Sequence, residues 1–349
     1  MNPSWPPILL QWFDRHRRDL PWREEAPRNP YHVWISEIML QQTRTEAVKP
    51  YYNAWMERFP TIRTLAEADE ADVLRQWQGL GYYSRARNLH KAARVMMETM
   101  GGALPAERTS LEALPGIGAY TAGAVLSIGM GQREAAVDGN VLRVYARLYG
   151  IDKDILKKEG RKEVAERVEE TLPAGRPGDF NEALMDLGSE VCIPKYPRCG
   201  ACPLRDECCA FQEHRTESLP VRTQKKPQKE EYAACALIEE KGAFLMHLRP
   251  GKGMLASMWE FPMALGRAAE EAQRSLEGLM GSPAEEAVWT HRHVFTHRIW
   301  HMTAYVMAKT AVTAAARDRW RWIAPEEFTE FPLAGPHARL AAWVKDSNL

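Results

Sequence analysis

The 349-residue sequence carries no net charge, with 46 basic and 46 acidic residues. The parts before and after Glu230 are each close to neutral too. Bulk charge therefore gives no attraction to nucleic acid, and any contact with a polyanion must come from local clusters. No apolar run approaches the ~20 residues of a membrane span. The longest uncharged stretch, Ala119 to Gln132, is short and rich in glycine. The opening residues, "MNPSWPPILLQWFDRHRRDL", lack the long apolar core of a secretory signal and carry several charges, which predicts an intracellular, cytoplasmic chain. Cysteine is scarce, six in all, yet five fall in "VCIPKYPRCGACPLRDECC", residues 191–209.

In an intracellular chain these cysteines are not expected to form disulfides. Zinc sites usually pair two short knuckles across a longer gap. Here the spacing is C-x6-C-x2-C-x5-C through Cys192, Cys199, Cys202 and Cys208, so all four thiols come from one compact loop. That pattern favours a single iron–sulfur cubane, a [4Fe-4S] cluster, over zinc. Spacing selects Cys208 rather than Cys209 as the fourth ligand. Lys195, Arg198 and Arg205 lie in the same loop and would form a basic surface that the cluster folds.

Along the chain, residues up to about 210 show helical patterning. "YHVWISEIMLQQTRTEAVKPYYNAWMERF" and "EADVLRQWQ" place apolar residues three and four apart, with "PR", "FP", "LP" and "GG" between segments. About ten helices are expected. Residues 215–231, "RTESLPVRTQKKPQKEE", are polar and basic and read as a linker. Beyond it the period changes to that of strands in "YAACALIEEKGAFLMHL" (two strands and a turn), "HVFTHRIWHMTAYVMA" and "RWRWI". This predicts a separate α+β domain over 232–349. No internal repeat is present.

Four stretches suggest chemistry. In "LPGIGAYTAGAVLS", Gly116 and Gly118 flank an apolar residue before a small-residue helix, a turn whose N–H groups suit a phosphate. An ordinary helix–helix turn would look the same. In "AVDGNVLRVYARLYG", Asp138 precedes a helical pattern; it is either an N-cap or a carboxylate facing positive charge on a sugar. Glu37 sits in "VWISEIMLQQT" among Val33, Trp34, Ile35, Ile38, Met39 and Leu40, where burial would raise its pKa and keep it ready as a general acid. "GLGYYSRARNLHKAAR" interleaves Tyr82 and Tyr83 with Arg85, Arg87, Lys91 and Arg94, as a wedge into a base stack would; a loop before a solvated basic helix is the alternative.

Together these pieces resemble the endonuclease III superfamily of DNA glycosylases with a helix-hairpin-helix motif. The hairpin, the aspartate and the cysteine loop occur in the family's order over roughly residues 5–215. The resemblance implies a multidomain protein. An all-α, two-lobed glycosylase domain would span 1–214, with a six-helix barrel lobe over about 23–130. A lobe holding one structural [4Fe-4S] cluster would combine about 1–22 with 131–214. Tyr120 stands where the strand-cutting branch carries a lysine nucleophile. Tyrosine forms no Schiff base, so a monofunctional enzyme is expected.

"SEIMLQQT", "GLGYYSRARNL" and "VDGNVLR" resemble the branch that removes adenine opposite 8-oxoguanine or guanine in double-stranded DNA. By resemblance Glu37 protonates the base, Asp138 stabilises the oxocarbenium-like sugar, and Tyr120 and Asn140 assist. Gln42, Thr43, Leu80 and Tyr82 fill the gap and hold the opposite 8-oxoguanine, while Arg23 and Glu182, with Trp22, form the adenine pocket. The C-terminal part resembles a Nudix-like domain that reads 8-oxoguanine, on "RPGKGMLASMWEFP" and "HVFTHR". Phe295, Thr296 and His297 match its contact tip. Thr296 replaces the family's usual serine, keeping the hydroxyl and adding a methyl. The metal-binding Nudix array is missing from the segment after "WEFP", so no pyrophosphatase activity is expected. One chain would supply every part, so a monomer on DNA is expected. Rival readings are a pyrimidine glycosylase with lyase activity, a non-catalytic iron–sulfur DNA-binding protein, and a Nudix hydrolase with a helical appendage.

Overall fold

The computed structural model describes residues 4–23, 27–223, 227–309 and 319–347. The chain divides into two compact units, Met1–Ala68 with Asn88–Gln224, and Asp69–Arg87 with Lys225–Leu349. The glycosylase domain expected from the sequence included residues 69–87, which here cluster with the C-terminal unit.

The helices of the first part are α1 (Pro6–His16), α2 (Pro30–Leu40), α3 (Thr45–Arg58), α4 (Ile62–Glu67), α5 (Glu70–Gln76), α6 (Ser84–Thr99), α7 (Arg108–Glu112), α8 (Ala119–Ala124), α9 (Gly139–Leu148), α10 (Lys158–Thr171), α11 (Pro177–Glu190) and α12 (Cys209–Gln212). Helix α2 starts at Pro30 because Asn29 accepts the Tyr31 N–H (2.9 Å) and proline's fixed φ suits the first turn. It is buried almost all round, through Val33, Trp34, Ile35, Ile38 and Met39, which is what its continuous apolar sequence requires. A core ties Trp5 and, from α1, Leu9 and Phe13 to Val141, Leu142 and Tyr145 of α9, Val164 and Val168 of α10, and Phe180, Leu184 and Leu187 of α11. Residues from the two ends of the unit thus share one apolar interior.

Between α7 and α8 the chain makes the turn anticipated at Gly116, whose φ of +81° lies in the left-handed region. A Cβ there would stand 2.7 Å from Asn88 Cβ. Helix α8 continues as a π-helical turn, Val125–Gly129. At its centre Gly123 packs so close to the Ala135 carbonyl that a Cβ would stand 2.0 Å from it.

Of the expected linker, residues 224–226 lie outside the described residues. The part before them is held down: the Ile155 N–H donates to Val221 O (3.1 Å), Arg147 Nε to Leu219 O (2.9 Å) and the Thr223 N–H to Asp154 Oδ2 (2.9 Å). The part after them enters a strand at Lys229.

In the second unit, one sheet has the order β5 (Met263–Gly266), β1 (Lys229–Leu237), β7 (Arg298–Met307), β6 (Ala284–Val294). β1 and β7 run parallel, and the other pairs antiparallel. A smaller sheet joins β2 (Glu239–Glu240), β3 (Ala243–Leu248), β4 (Trp259–Glu260) and β8 (Trp320–Ile323). Helix α13 (Ala269–Met280) packs Ala272, Leu276 and Met280 on Ala234, Ala236 and Ile238. The C-terminal helix Gly335–Asp346 packs Leu340, Ala341 and Val344 into the core holding Cys235, Leu237 and Trp300. β1 is therefore buried on both faces, which explains why "YAACALI" is nearly continuous rather than alternating. The reading of two strands and a turn over 232–248 corresponds to β1 and β3, with the short β2 between them. β1 does not pair with β3; the hairpin is the short β2–β3, turned by Lys241 and Gly242 at positive φ.

Candidate active site

A cavity of about 840 Å³ in the first unit is lined by Trp22, Arg23, Glu37, Gln42, Thr43, Gly118, Tyr120, Asp138, Asn140 and Glu182. These came from five separate stretches of sequence. Gly116 does not line it; its part is to shape the turn that delivers Gly118 and Tyr120.

Glu37 is 7 % exposed. The Tyr120 hydroxyl donates to Glu37 Oε2. Burial pushes the Glu37 carboxyl up to about 7 from its ordinary 4.5. The Tyr120 hydrogen bond works against that rise, as does Arg23, while the Asp138 and Glu182 carboxylates add to it. The Tyr120 phenol is raised well above 10, chiefly by burial, so it remains a donor. Glu37 is thus a carboxyl that can hold or release a proton near neutrality.

Asp138 is at once the N-cap of α9 and a wall of the cavity. Its Oδ1 accepts the N–H groups of Asn140 (2.8 Å) and Val141 (2.7 Å) at the start of α9, and its Oδ2 accepts Asn140 Nδ2 (2.8 Å). Burial raises its pKa while these donors and Arg143 pull it down. Capping fixes the carboxylate in one orientation. Asn140 is held in turn, since its Oδ1 accepts Arg143 Nη2 (2.8 Å).

On the opposite wall an alternating ladder of charge runs through α11. Arg23 Nε donates to Glu182 Oε1 (2.7 Å) and its Nη1 to Asp186 Oδ2 (2.7 Å). Arg18 donates to Asp186 Oδ1 (2.6 Å), and Arg28 to Glu182 Oε2 (3.3 Å). Burial opposes the Arg23 charge, yet Glu182 and Asp186 together hold its pKa above the ordinary value. Arg18, Arg28, Asp186 and Met185 were not singled out from the sequence. The one local signal was the four-residue spacing of Glu182 and Asp186, which puts both on one face of α11.

The four cysteines Cys192, Cys199, Cys202 and Cys208 line a second, small space of about 30 Å³ with Arg147, Pro197 and Phe211. Cys209 is not part of it; its Sγ lies against Gly150, where a Cβ would come within 2.5 Å. Burial pushes the Cys202 thiol up to about 12 and raises Cys199 and Cys208 as well. Soft, partly buried thiols grouped around one space fit an iron–sulfur cluster, which would hold them as thiolates. The four surround the space rather than meet at a point. Among the described residues no three His, Cys, Asp or Glu side chains are grouped as ligands of one ion. Arg147 pins the loop by donating to Ile193 O (2.8 Å) and Pro194 O (3.0 Å). Lys195, Arg198 and Arg205 are exposed on the loop, as is Tyr196.

In the second unit Leu80 and Tyr82 line a cavity of about 380 Å³ with Phe295, Thr296 and His297. The last three form the tip of the β6–β7 hairpin, closed by the Phe295 N–H donating to Arg298 O (2.9 Å). Tyr82 has a positive φ of 48° and is 45 % exposed. Arg85 lies over the rings of Trp77 (5.0 Å) and Tyr82 (5.6 Å) and donates to the carbonyls of Leu80 and Gly81 (both 3.1 Å). An exposed ring held at an unfavourable φ is strain retained by its surroundings.

Residues 35–170 match the HhH-GPD superfamily base excision DNA repair protein family, and residues 233–343 match the NUDIX domain. The chain is 35 % identical to the adenine DNA glycosylase of Homo sapiens over 385 residues, 92 % of this chain and 70 % of that one. It is 34 % identical to the adenine DNA glycosylase of Buchnera aphidicola (strain APS), covering 84 % of each chain. Among solved structures, a thermostable thymine-DNA glycosylase superposes with a TM-score of 0.55 at 29 % identity, covering 60 % of this chain and 95 % of that one. An endonuclease III–DNA complex, at 24 % identity and a TM-score of 0.51 over 60 % of this chain and 94 % of that one, shares the fold. Among the described residues no helix is long and apolar enough to cross a membrane.

Proposed function

Since the chain belongs to the adenine DNA glycosylases, base excision repair enzymes that remove adenine from DNA, we propose that its target is adenine opposite 8-oxoguanine or guanine in duplex DNA and that it leaves an abasic site without cutting the strand. The observation that carries this reading is one buried carboxyl, Glu37, poised near neutrality in the same cavity as the capped carboxylate Asp138.

Adenine reaches the cavity only after leaving the base stack. Glu37, protonated, gives its proton to N7, because adenine departs poorly as an anion. The glycosidic electron pair leaves with the base, and positive charge develops on the sugar. Asp138, already fixed by three N–H donors, faces that charge with no reorganisation at the moment of reaction. Water adds at C1′ and loses its proton to a carboxylate. Tyr120 orients Glu37, and Asn140 orients Asp138. No lysine lines the cavity among the described residues, which supports hydrolysis rather than Schiff-base chemistry. Arg23 and Glu182, with Trp22, form the base pocket, and Gln42 and Thr43 lie at the cavity wall where the gap in the duplex would be filled. Leu80, Tyr82, Phe295, Thr296 and His297 hold the opposite 8-oxoguanine.

The four loop cysteines would hold a [4Fe-4S] cluster, which supplies cross-links that order a basic loop. The proposed domains are a glycosylase domain over 1–214 and a Nudix-like recognition domain over 232–349, and a single chain acts on DNA.

The test is a labelled duplex with one A opposite 8-oxoguanine, compared with A opposite C and with thymine glycol opposite A. Breakage of the A strand only after hot alkali, and only opposite 8-oxoguanine or more weakly guanine, supports the proposal. Breakage at thymine glycol without alkali refutes it.

A further inference from the structure

We propose that Asp186 is a positioning residue for base recognition, locking Arg23 against Glu182 and balancing the positive charge beside Glu37. The proposal rests on the reading of Arg23 and Glu182 as the adenine pocket and of Glu37 as the proton donor. Asp186 is fully buried and lies one turn beyond Glu182 on α11, so both carboxylates project from one face. Arg23 spends every edge of its planar fork on them: Nε on Glu182 Oε1 (2.7 Å), Nη1 on Asp186 Oδ2 (2.7 Å) and Nη2 on Asp186 Oδ1 (3.2 Å). A flat group held by two carboxylates on a rigid helix has one orientation left.

Arg18 secures Asp186 from the other side, with Nε at 2.8 Å and Nη2 at 2.6 Å from Oδ1, and reaches Thr45 Oγ1 at 3.2 Å. The consequence for recognition is direct. With Arg23 and Arg28 on its two oxygens, Glu182 keeps lone pairs in a fixed direction for an amino group of the base. Without Asp186, Arg23 is free to turn and draw Glu182 with it.

The consequence for charge follows from counting. Arg18, Arg23 and Arg28 face Glu182 and Asp186, with the exposed Glu190 3.9 Å from Arg18, and losing Asp186 leaves one more guanidinium charge uncompensated. The groups facing Glu37 are Tyr120 from α8, Asp138 at the head of α9, Glu182 on α11 and Arg23. Arg23 is the one cation among them, and it favours the ionised carboxylate. Freed from Asp186 it would do so more strongly, and Glu37 would lose its proton at lower pH.

The experiment is single-turnover excision of adenine opposite 8-oxoguanine, from about pH 5 to about pH 9 to span the ordinary and raised carboxyl ranges. Wild type, Asp186→Asn, Arg18→Met and Glu37→Asp are compared, each also on a duplex with purine, which lacks the 6-amino group, in place of adenine. Binding to a duplex with non-hydrolysable 2′-fluoro-2′-deoxyadenosine checks that the variants are folded. For Asp186→Asn the alkaline fall in rate is expected about half a pH unit or more lower, and the adenine-to-purine rate ratio about tenfold smaller, the size of one misplaced hydrogen bond to a charged group. Arg18→Met, which leaves Asp186 to Arg23 alone, should move the fall the other way while keeping the ratio. Asp186→Asn with the wild-type fall and the wild-type ratio overturns the proposal, whatever its absolute rate. Glu37→Asp tests the underlying reading separately. If it leaves the alkaline fall in place, that fall does not belong to Glu37, and the ratio alone then judges Asp186.

Discussion

Replacing Glu37 with glutamine separates what its carboxyl costs the fold from what it does in the reaction. Burial raises this group from 4.5 to about 7, which at ~1.4 kcal/mol per unit amounts to about 3 kcal/mol. A folded-state pKa above the unfolded value means that the native protein holds the proton more tightly. Its stability is unaffected below about pH 4, declines as pH rises from 4.5 through 7, and levels off above that. Glutamine keeps the shape and an oxygen for Tyr120 to donate to, but it never ionises. Glu37→Gln should therefore match wild type at about pH 4–5 and exceed it by about 3 kcal/mol near pH 8. For a unit of this size that is a rise in Tm of about 6–12 °C. Excision, lacking its acid, should fall by about 100-fold or more. The measurement is thermal unfolding of both proteins at four or five pH values, paired with single-turnover excision. A stability gap that stays constant from about pH 5 to about pH 8 would refute the burial argument. Retained excision would refute the assignment of Glu37 as the acid.

Asp138→Asn should lower turnover by about 1000-fold or more yet leave binding to an adenine·8-oxoguanine duplex within about twofold, because the amide still accepts the N–H groups that start α9; retained turnover in a kinetic assay would defeat the electrostatic role. Gly116→Ala combines a φ of +81° with a Cβ 2.7 Å from Asn88 and should destabilise the first unit by about 1–3 kcal/mol in chemical denaturation. Cys208→Ser should abolish or weaken the brown absorption and iron content of the purified protein, whereas Cys209→Ser should retain both, since Cys209 lies outside the thiol-lined space. Equal loss in the two variants would reverse the ligand assignment.

How much of this was legible beforehand differs between elements. Helix α2 could be read from its apolar run, and the Gly116 turn from its two glycines, because both are set within a few residues. The β6–β7 tip at Phe295, Thr296 and His297 came from the resemblance, while the strand period showed only that strands lie in this stretch. The partners of β1 were not legible, because a two-sided buried strand looks like any short apolar run and its neighbours, Arg298–Met307 and Met263–Gly266, lie far along the chain. Asp138 illustrates the middle ground. Its capping position was visible, but its place on the cavity wall depended on helices elsewhere.

The sequence by itself determined the elements with short-range causes: the cysteine loop, the capped start of α9, the hairpin turn and the change from helical to strand period after residue 231. Tertiary structure alone decided the chemistry of the site. Glu37 is pushed up to about 7 because the surrounding helices bury it, against the pull of the hydrogen bond from Tyr120, 83 residues away. The Arg23–Asp186 pair joins positions 163 residues apart, which no local spacing reveals. The physical reason is range. Propensity, capping and periodicity act over one or two turns, whereas burial and charge compensation depend on whichever distant segments the core brings alongside.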